Sequence, residues 1–457
     1  MCPRFVILAV LSDVRLPMPA TWQARGVDLE GVAWLDGPDG RAALEVASAY
    51  DEDAHARAAA GDATAVDPLR AATSLRRALP DLTSAQAATV LTQLRLRRRA
   101  RPRLGDLADR LLLTEDGLEQ ATRTVVADLR ARRYAAAGAT RVADLGCGLG
   151  LDSAAFARAG LRVTAVERDP VVAALAARNL AALGLAGLVT VVVGDATHPA
   201  VLDAVLGDVD AAYVDPARRD PSTRREGRAA RVADPESWSP PWSWVERLAS
   251  RVPRTAAKVA PGVPHELTPD GGCATWTSVD GSLVEAELAW PALAEPGVRR
   301  AAVVVRSGTD EPVVERSAVD LADEDAPPVG AVGAWLLEPD DAVIRAGLVA
   351  QVARRVGGRL LDPRVAYVTS DLDVDVAPLA TRFRVGTALP YGVAALRAVL
   401  VAAGVGHVVV KKRAIGADPD DVRRRLALPP APGSAVVLLT RIGADPWAFV
   451  CDVRGGV

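Results

Sequence analysis

Residues 141–170 read RVADLGCGLGLDSAAFARAGLRVTAVERDP. A short apolar run meets Gly146, Gly148 and Gly150 and then gives way to an alanine-rich stretch with helical spacing, the pattern of a strand turning into a helix. Glycines at such a turn let the backbone come close to a ligand and adopt positive φ. Gly-x-Gly-x-Gly serves many folds, so its meaning depends on the residues downstream of it. About twenty residues on, the next apolar run ends at Glu167, where an acid accepts hydrogen bonds from ribose hydroxyls. A third run, LVTVVVGDA (188–196), ends at Asp195, whose carboxylate suits an adenine amino group. Asp144 precedes the glycines, placed to order the loop or to meet a positively charged ligand. A fourth run, DVDAAYVDPA (208–217), ends at Asp215-Pro216. Helical segments such as PVVAALAARNLAALGL (170–185) separate the runs, which predicts a mostly parallel sheet covered on both faces. Acids and glycines at the carboxyl ends of successive strands describe a nucleoside pocket. The G-x-G-x-x-G of dinucleotide sites and the Gly-Lys-Ser/Thr of a P-loop are both missing, so nothing here clamps phosphate.

The run from Val142 to Pro170, followed by GDA (194–196) and DPAR (215–218), resembles class I S-adenosylmethionine-dependent methyltransferases, over roughly residues 105–307. The resemblance implies a doubly wound, seven-stranded Rossmann-like sheet. It implies S-adenosyl-L-methionine as cofactor, with its methionine near Asp144 and Gly146, its ribose on Glu167 and its adenine beside Asp195. In this family the fourth strand ends beside the sulfonium methyl, so Asp215 and Pro216 are the catalytic candidates. Enzymes that methylate base amino nitrogens carry Asp/Asn-Pro-Pro and an aromatic there; this chain keeps the first two positions and has Ala217 and Arg218 at the others. An arginine plane also stacks on bases, but the departure leaves the target atom open. Asp215 is expected to orient an amine or take its proton; the plainer reading is a turn cap balanced by Arg218 or Arg219.

The segment after Asp215 is unusually basic. Arg218, Arg219, Arg224, Arg225, Arg228 and Arg231 crowd into fourteen residues. Beside the methyl donor they suit the phosphates of a polynucleotide, while the bland account pairs them with Asp220, Glu226 and Asp234. Trp238, Trp242 and Trp244 come next, in ESWSPPWSWVERL (236–248); indoles stack a flipped base, though tryptophans beside prolines more often anchor a loop. Lys258, in RTAAKVAPG (254–262), falls at the fifth strand.

At 457 residues the chain has room for several domains. We expect an N-terminal extension over 1–20, a mostly helical domain over 21–137, the methyltransferase domain over 138–308, a linker over 309–331 and an α+β domain over 332–457. TSAQAATVLTQLRLRRRARPRLGDLADRLLL (83–113) predicts helices broken near Pro102 and Gly105, and Thr114 should cap a helix running to about Gly138. GCATWTSVDGSLVEAELAW (272–290) and RRAAVVVRSG (299–308) read as antiparallel strands closing the sheet. The order of these pieces is similar to the trimethylguanosine-cap synthases, whose preceding helices cover the donor, but their aromatic stacking motif is missing. EPDDAVIRAGLVAQVARRVGG (338–358) reads as a helix ending at a glycine pair. Together with YVTSD (367–371) and VVVKKRAIGADPDDVRRRL (408–426), its start resembles the THUMP-like domain at the C-terminus of certain bacterial methyltransferase-fold proteins. True THUMP domains bind structured RNA, usually transfer RNA, and Lys411, Lys412 and Arg413, with Arg423, Arg424 and Arg425, would supply phosphate contacts; a solvated charge run is the alternative.

Composition sets outer bounds. The net charge of −3 excludes a global field drawing nucleic acid, so any anion-binding surface is local. Lysine occurs only at 258, 411 and 412, which reads as coding bias toward arginine. Four scattered cysteines predict neither disulfides nor a metal site, which suits a cytoplasmic protein. No apolar run is long enough for a bilayer; the first seventeen residues read as upstream of a true start at Met18 better than as a secretory signal. The expected function is methylation of a base nitrogen in RNA, with transfer RNA the first expectation. A methyltransferase of a small molecule or protein, and a catalytically silent RNA-binding protein, are its rivals.

Overall fold

The computed structural model describes residues 29–59, 68–216, 219–225, 228–231, 234–307, 312–317 and 327–452, with backbone alone at 54–59, 68–69, 219–225, 228–231 and 317. The chain divides into two compact units, one up to Lys258 with Ala289–Leu293, the other Val259–Leu288 with the chain from Ala294 onward.

Helices come first: α1 (Leu29–Asp36), α2 (Pro38–Ala59), α3 (Pro68–Ala78), α4 (Ser84–Leu104), α5 (Glu115–Gln120) and α6 (Thr124–Ala136). Thr83 and Gln86 form a reciprocal capping box at the start of α4. The helix runs through Pro102 and stops at Gly105, near the expected break; the φ of 57° at Gly105 leaves the helical region. Thr114 does cap α5, accepting from the Gly117 N–H, but the single helix expected to Gly138 is broken over 121–123. Ala121, at φ −57° and ψ 126°, is extended there.

A βα alternation follows: β1 (Arg141–Leu145), α7 (Leu151–Arg158), β2 (Arg162–Glu167), α8 (Pro170–Ala182), β3 (Val189–Val193), α9 (Pro199–Leu206) and β4 (Ala211–Val214), then the ribbon β5 (Arg219–Arg225) and β6 (Arg228–Arg231), α10 (Trp242–Arg251) and β7 (Thr255–Val259). Strands β8 (Cys273–Val279), β9 (Ser282–Ala289), β10 (Arg300–Val305) and β11 (Val313–Ser317) complete a sheet of order β11-β10-β8-β9-β7-β4-β1-β2-β3, nine strands among the described residues where seven were expected. The pairs β3-β2, β2-β1, β1-β4 and β4-β7 are parallel, as the buried apolar runs require. β8 and β9 form a hairpin through Asp280-Gly281, both at positive φ. β10 is parallel to β8, not antiparallel as expected, because the chain over 290–299 reverses once more before β10 enters. Inside the stretch read as a linker, β11 pairs antiparallel with β10.

The helical region shares one core with the alternating region. Leu94, Leu104 and Leu111–Leu113 cluster with Leu149 of the glycine turn and Leu175 of α8. Segment 111–113 is pinned by side chains: Gln93 bonds both backbone groups of Leu113, Asn179 those of Leu112, and Arg97 the Leu111 carbonyl. Each such bond satisfies a buried backbone group that no secondary structure serves.

The rest of the chain forms β12 (Trp335–Pro339), α11 (Asp341–Arg345), α12 (Val349–Arg355), β13 (Arg359–Asp362), β14 (Val365–Ser370), β15 (Ala380–Pro390), α13 (Val393–Ala402), β16 (Val405–Lys412), α14 (Pro419–Leu426), β17 (Gly433–Ile442) and β18 (Asp445–Asp452). Its sheet runs β13-β14-β12-β15-β18-β17-β16. The helix expected over 338–358 is two short ones, divided at Gly347, which takes φ 69°.

Candidate active site

Five parallel strands deliver the candidate residues in the spatial order Lys258, Asp215, glycine turn, Glu167, Asp195, which is the strand order β7-β4-β1-β2-β3. The connections reverse direction between β1 and β4, where open α/β sheets form their ligand crevice.

The donor half is built on the glycine turn. Gly146, Gly148 and Gly150 take φ of 92°, 52° and 80°, a conformation that side-chain-bearing residues rarely adopt. Gly146 and Cys147 donate their N–H groups to the Val166 carbonyl, and Gly148 donates to Glu167 Oε2 at 3.1 Å. A Cβ built on Gly148 meets nothing within 4 Å, so open space lies over the turn. Glu167 Oε1 also accepts the Asp169 N–H at 2.9 Å; burial raises its carboxyl above the usual range. Asp195 Oδ1 accepts from both the backbone and the hydroxyl of Thr197, fixing its own turn.

Asp144 is 1% exposed. Its carboxylate accepts the Ser153 hydroxyl from the first turn of α7. Burial first, then the charge of nearby Asp152, pushes its carboxyl up to about 7, against the pull of Ser153 and Arg130. Asp152 itself joins Arg130 and accepts the Thr122 hydroxyl at 2.8 Å. Neither Ser153 nor Asp152 stood out in the sequence; both come after the glycines by less than one helical turn, the one signal that pointed to them.

On the target half, Asp215 follows β4 directly, its carbonyl 3.9 Å from where a Gly146 Cβ would be. Its charge is met by Lys258, Nζ to Oδ2 at 2.5 Å; the pairing with Arg218 or Arg219 that the plainer sequence reading offered falls on side chains outside the described ones. Pro216 is buried. Arg218 lies outside the described residues; Arg219, Arg224 and Arg225 belong to β5, whose backbone pairs antiparallel with β6. The arginine-rich stretch is thus a two-stranded ribbon leaving the end of the fourth strand. Trp238, Trp242 and Trp244 are buried, with Trp238 edge-on to Trp242 and Trp242 against Trp290, so these indoles anchor the segment after the ribbon.

In the second unit, Lys411 pairs with Glu338 at 2.5 Å, Arg413 reaches Asp341 and Glu338, and Lys412 between them is exposed. Alternation along β16 explains the split. Arg423, Arg424 and Arg425 pair with Asp420 and Asp421 on the same helix while staying half exposed or more.

Glycine backbone and carboxylates suit the hydroxyl and amino groups and the positive charge of S-adenosylmethionine, whose sulfonium supplies an electrophilic methyl group. Such a site at the switch point of a doubly wound sheet defines a donor-binding methyltransferase fold. Comparisons with known proteins agree. Residues 142–221 match the family model of a methyltransferase domain and residues 380–453 that of a THUMP domain-like family. An uncharacterized S-adenosylmethionine-dependent methyltransferase of Mycobacterium tuberculosis, found in two strains, is 35% identical over 369 residues, which is 78% of this chain and 94% of the relative. A solved putative methyltransferase from Porphyromonas gingivalis W83 shares the fold at 20% identity and TM-score 0.63, covering 91% of this chain and 99% of that one. The chain belongs to the S-adenosylmethionine-dependent methyltransferases and carries a THUMP-like domain toward its C-terminus. Its cofactor is S-adenosyl-L-methionine. Among the described residues no helix is long and apolar enough to cross a membrane.

Proposed function

We propose that this methyltransferase modifies a base nitrogen in RNA, with transfer RNA the first candidate. The observation that carries the reading is Asp215-Pro216 at the end of β4, next to the glycine turn, followed at once by the arginine-bearing ribbon. Methyl transfer is an in-line displacement, so the protein mainly aligns nucleophile and methyl carbon. In this reading Gly146, Gly148, Gly150, Glu167 and Asp195 hold the donor and Asp144 orders its loop. Asp215 accepts a hydrogen bond from the target amine, and the Pro216 ring stiffens the backbone behind it. Arg218, Arg219, Arg224 and Arg225 contact phosphate. The THUMP-like match supports RNA as the polymer. Because Lys411 and Arg413 are engaged by Glu338 and Asp341, Lys412 is assigned the phosphate contact on β16. The ion pairs of α14 are exposed ones of small worth, readily exchanged for phosphate.

The test is incubation of the protein with methyl-labelled S-adenosylmethionine and total RNA from a strain lacking its gene, wild type beside Asp215→Ala. Label entering one RNA size class, and falling about 100-fold or more in the variant, is the expected result. Donor binding without labelled RNA would move the assignment to a small molecule, a protein or a binding-only role.

A further inference from the structure

Lys258 is one of three lysines in the chain, and its side chain is 10% exposed. A buried ammonium is costly unless its donors are met. Its acceptors include Asp215 Oδ2 at 2.5 Å, Thr122 Oγ1 at 3.2 Å and the Gln120 carbonyl at 3.4 Å. The last two belong to the break between α5 and α6, at which the sequence pattern predicted unbroken helix. Thr122 donates its own hydroxyl to Asp152; Arg130, bonded to Asp152, lies 4.5 Å over the ring of Tyr213 on β4. The chain of contacts therefore leaves β4 at Asp215 and returns to it at Tyr213. Asp215 keeps 27% of its side chain open, so substrate reaches the acid before it reaches the lysine behind it.

We propose that Lys258 is a positioning residue for methyl transfer: its ammonium fixes the Asp215 carboxylate beside the glycine turn and ties it to the Gln120–Thr122 break at the end of helix α5, whose Gly117 packs on Leu149 of that turn. The inference rests on the reading of Asp215 as the group that orients the target. A neutral side chain of the same length removes the tether and leaves the glycine turn and Glu167 untouched. Arginine restores the charge in a different geometry and so gives partial recovery.

Lys258→Met, Lys258→Arg, Asp215→Asn and the double variant Lys258→Met/Asp215→Asn are compared with wild type in two measurements. The first is single-turnover transfer from methyl-labelled S-adenosylmethionine to the gene-deleted strain's total RNA, with S-adenosylhomocysteine affinity measured by calorimetry. Expected are an affinity within about 2-fold of wild type, a transfer rate about 100-fold lower for Lys258→Met, recovery of part of it in Lys258→Arg, and a double variant no slower than Asp215→Asn. Wild-type rates in Lys258→Met, or additive losses in the double variant, overturn the proposal. The second is a crystal structure of wild type and Lys258→Met with S-adenosylhomocysteine, which needs no RNA. Asp215 held as here in wild type and displaced in the variant supports the tether even if RNA proves the wrong substrate; an unmoved Asp215 overturns it.

Discussion

The residue with the most to say about pH is Asp144. Its carboxyl is held near 7 by burial and by Asp152, far above the ordinary 3.8. A raised acid binds a proton in the folded state that the unfolded state has lost, so folding stability falls as pH rises from about 4 to about 7, by up to about 1.4 kcal/mol per pH unit mid-window. Below pH 4 both states are protonated and the contribution is constant. Asp144→Asn keeps an acceptor for Ser153 and removes the charge. Its urea-unfolding free energy is expected to be flatter across this window than that of wild type; parallel curves would show that Asp144 does not titrate there. The sequence set this acid before the glycines, but its Ser153 partner became visible only in the turn of α7 that brings the hydroxyl beneath it.

Among the elements, α5 was half legible. Thr114 announced its start through a capping hydroxyl, a local signal. Its end was invisible, because TRTVVADLRA continues with good helical spacing and nothing in 121–123 is a helix breaker. The break is imposed from a distance, by Lys258 and Asp152 drawing on Gln120 and Thr122. Long-range polar partners override propensity most readily at sites, where local rules and global fold disagree. Strands β1–β4 were legible for the opposite reason: buried apolar runs ending in Gly or an acid carry their own punctuation. The role of α5 is testable at Gly117. A Cβ there sits 2.6 Å from Leu149 Cδ1 and 2.7 Å from the Thr114 hydroxyl, closer than real contacts allow. Gly117→Ala forces the Leu149 and Thr114 side chains, or the helix itself, to shift, at a cost of about 1–3 kcal/mol in stability. Weaker S-adenosylhomocysteine binding should accompany it; an unchanged stability and affinity would mean that α5 shifts without consequence for the donor.

At the scale of the whole molecule, the proposed function asks a chain of net charge −3 to hold a polyanion without a long-range field. On that proposal local basic elements carry the binding: the β5-β6 ribbon after β4, and in the THUMP-like domain Lys412 and the exposed arginines of α14. Counterion release makes such binding fall steeply with salt, with a slope that counts the phosphates neutralised. The structure separates three adjacent cations that the sequence grouped together. Lys411 is tied to Glu338 and Arg413 to Asp341, so replacing either also strips a partner from a carboxylate and confounds stability with binding. Lys412 escapes that confusion. Lys412→Ala should leave stability and S-adenosylhomocysteine affinity as in wild type while weakening RNA binding evenly across sequences and lowering the salt slope by about 1, measured as filter-retained RNA across a potassium chloride series. A slope unchanged by Lys412→Ala would take β16 out of the RNA footprint and leave the ribbon as the element that holds the polymer.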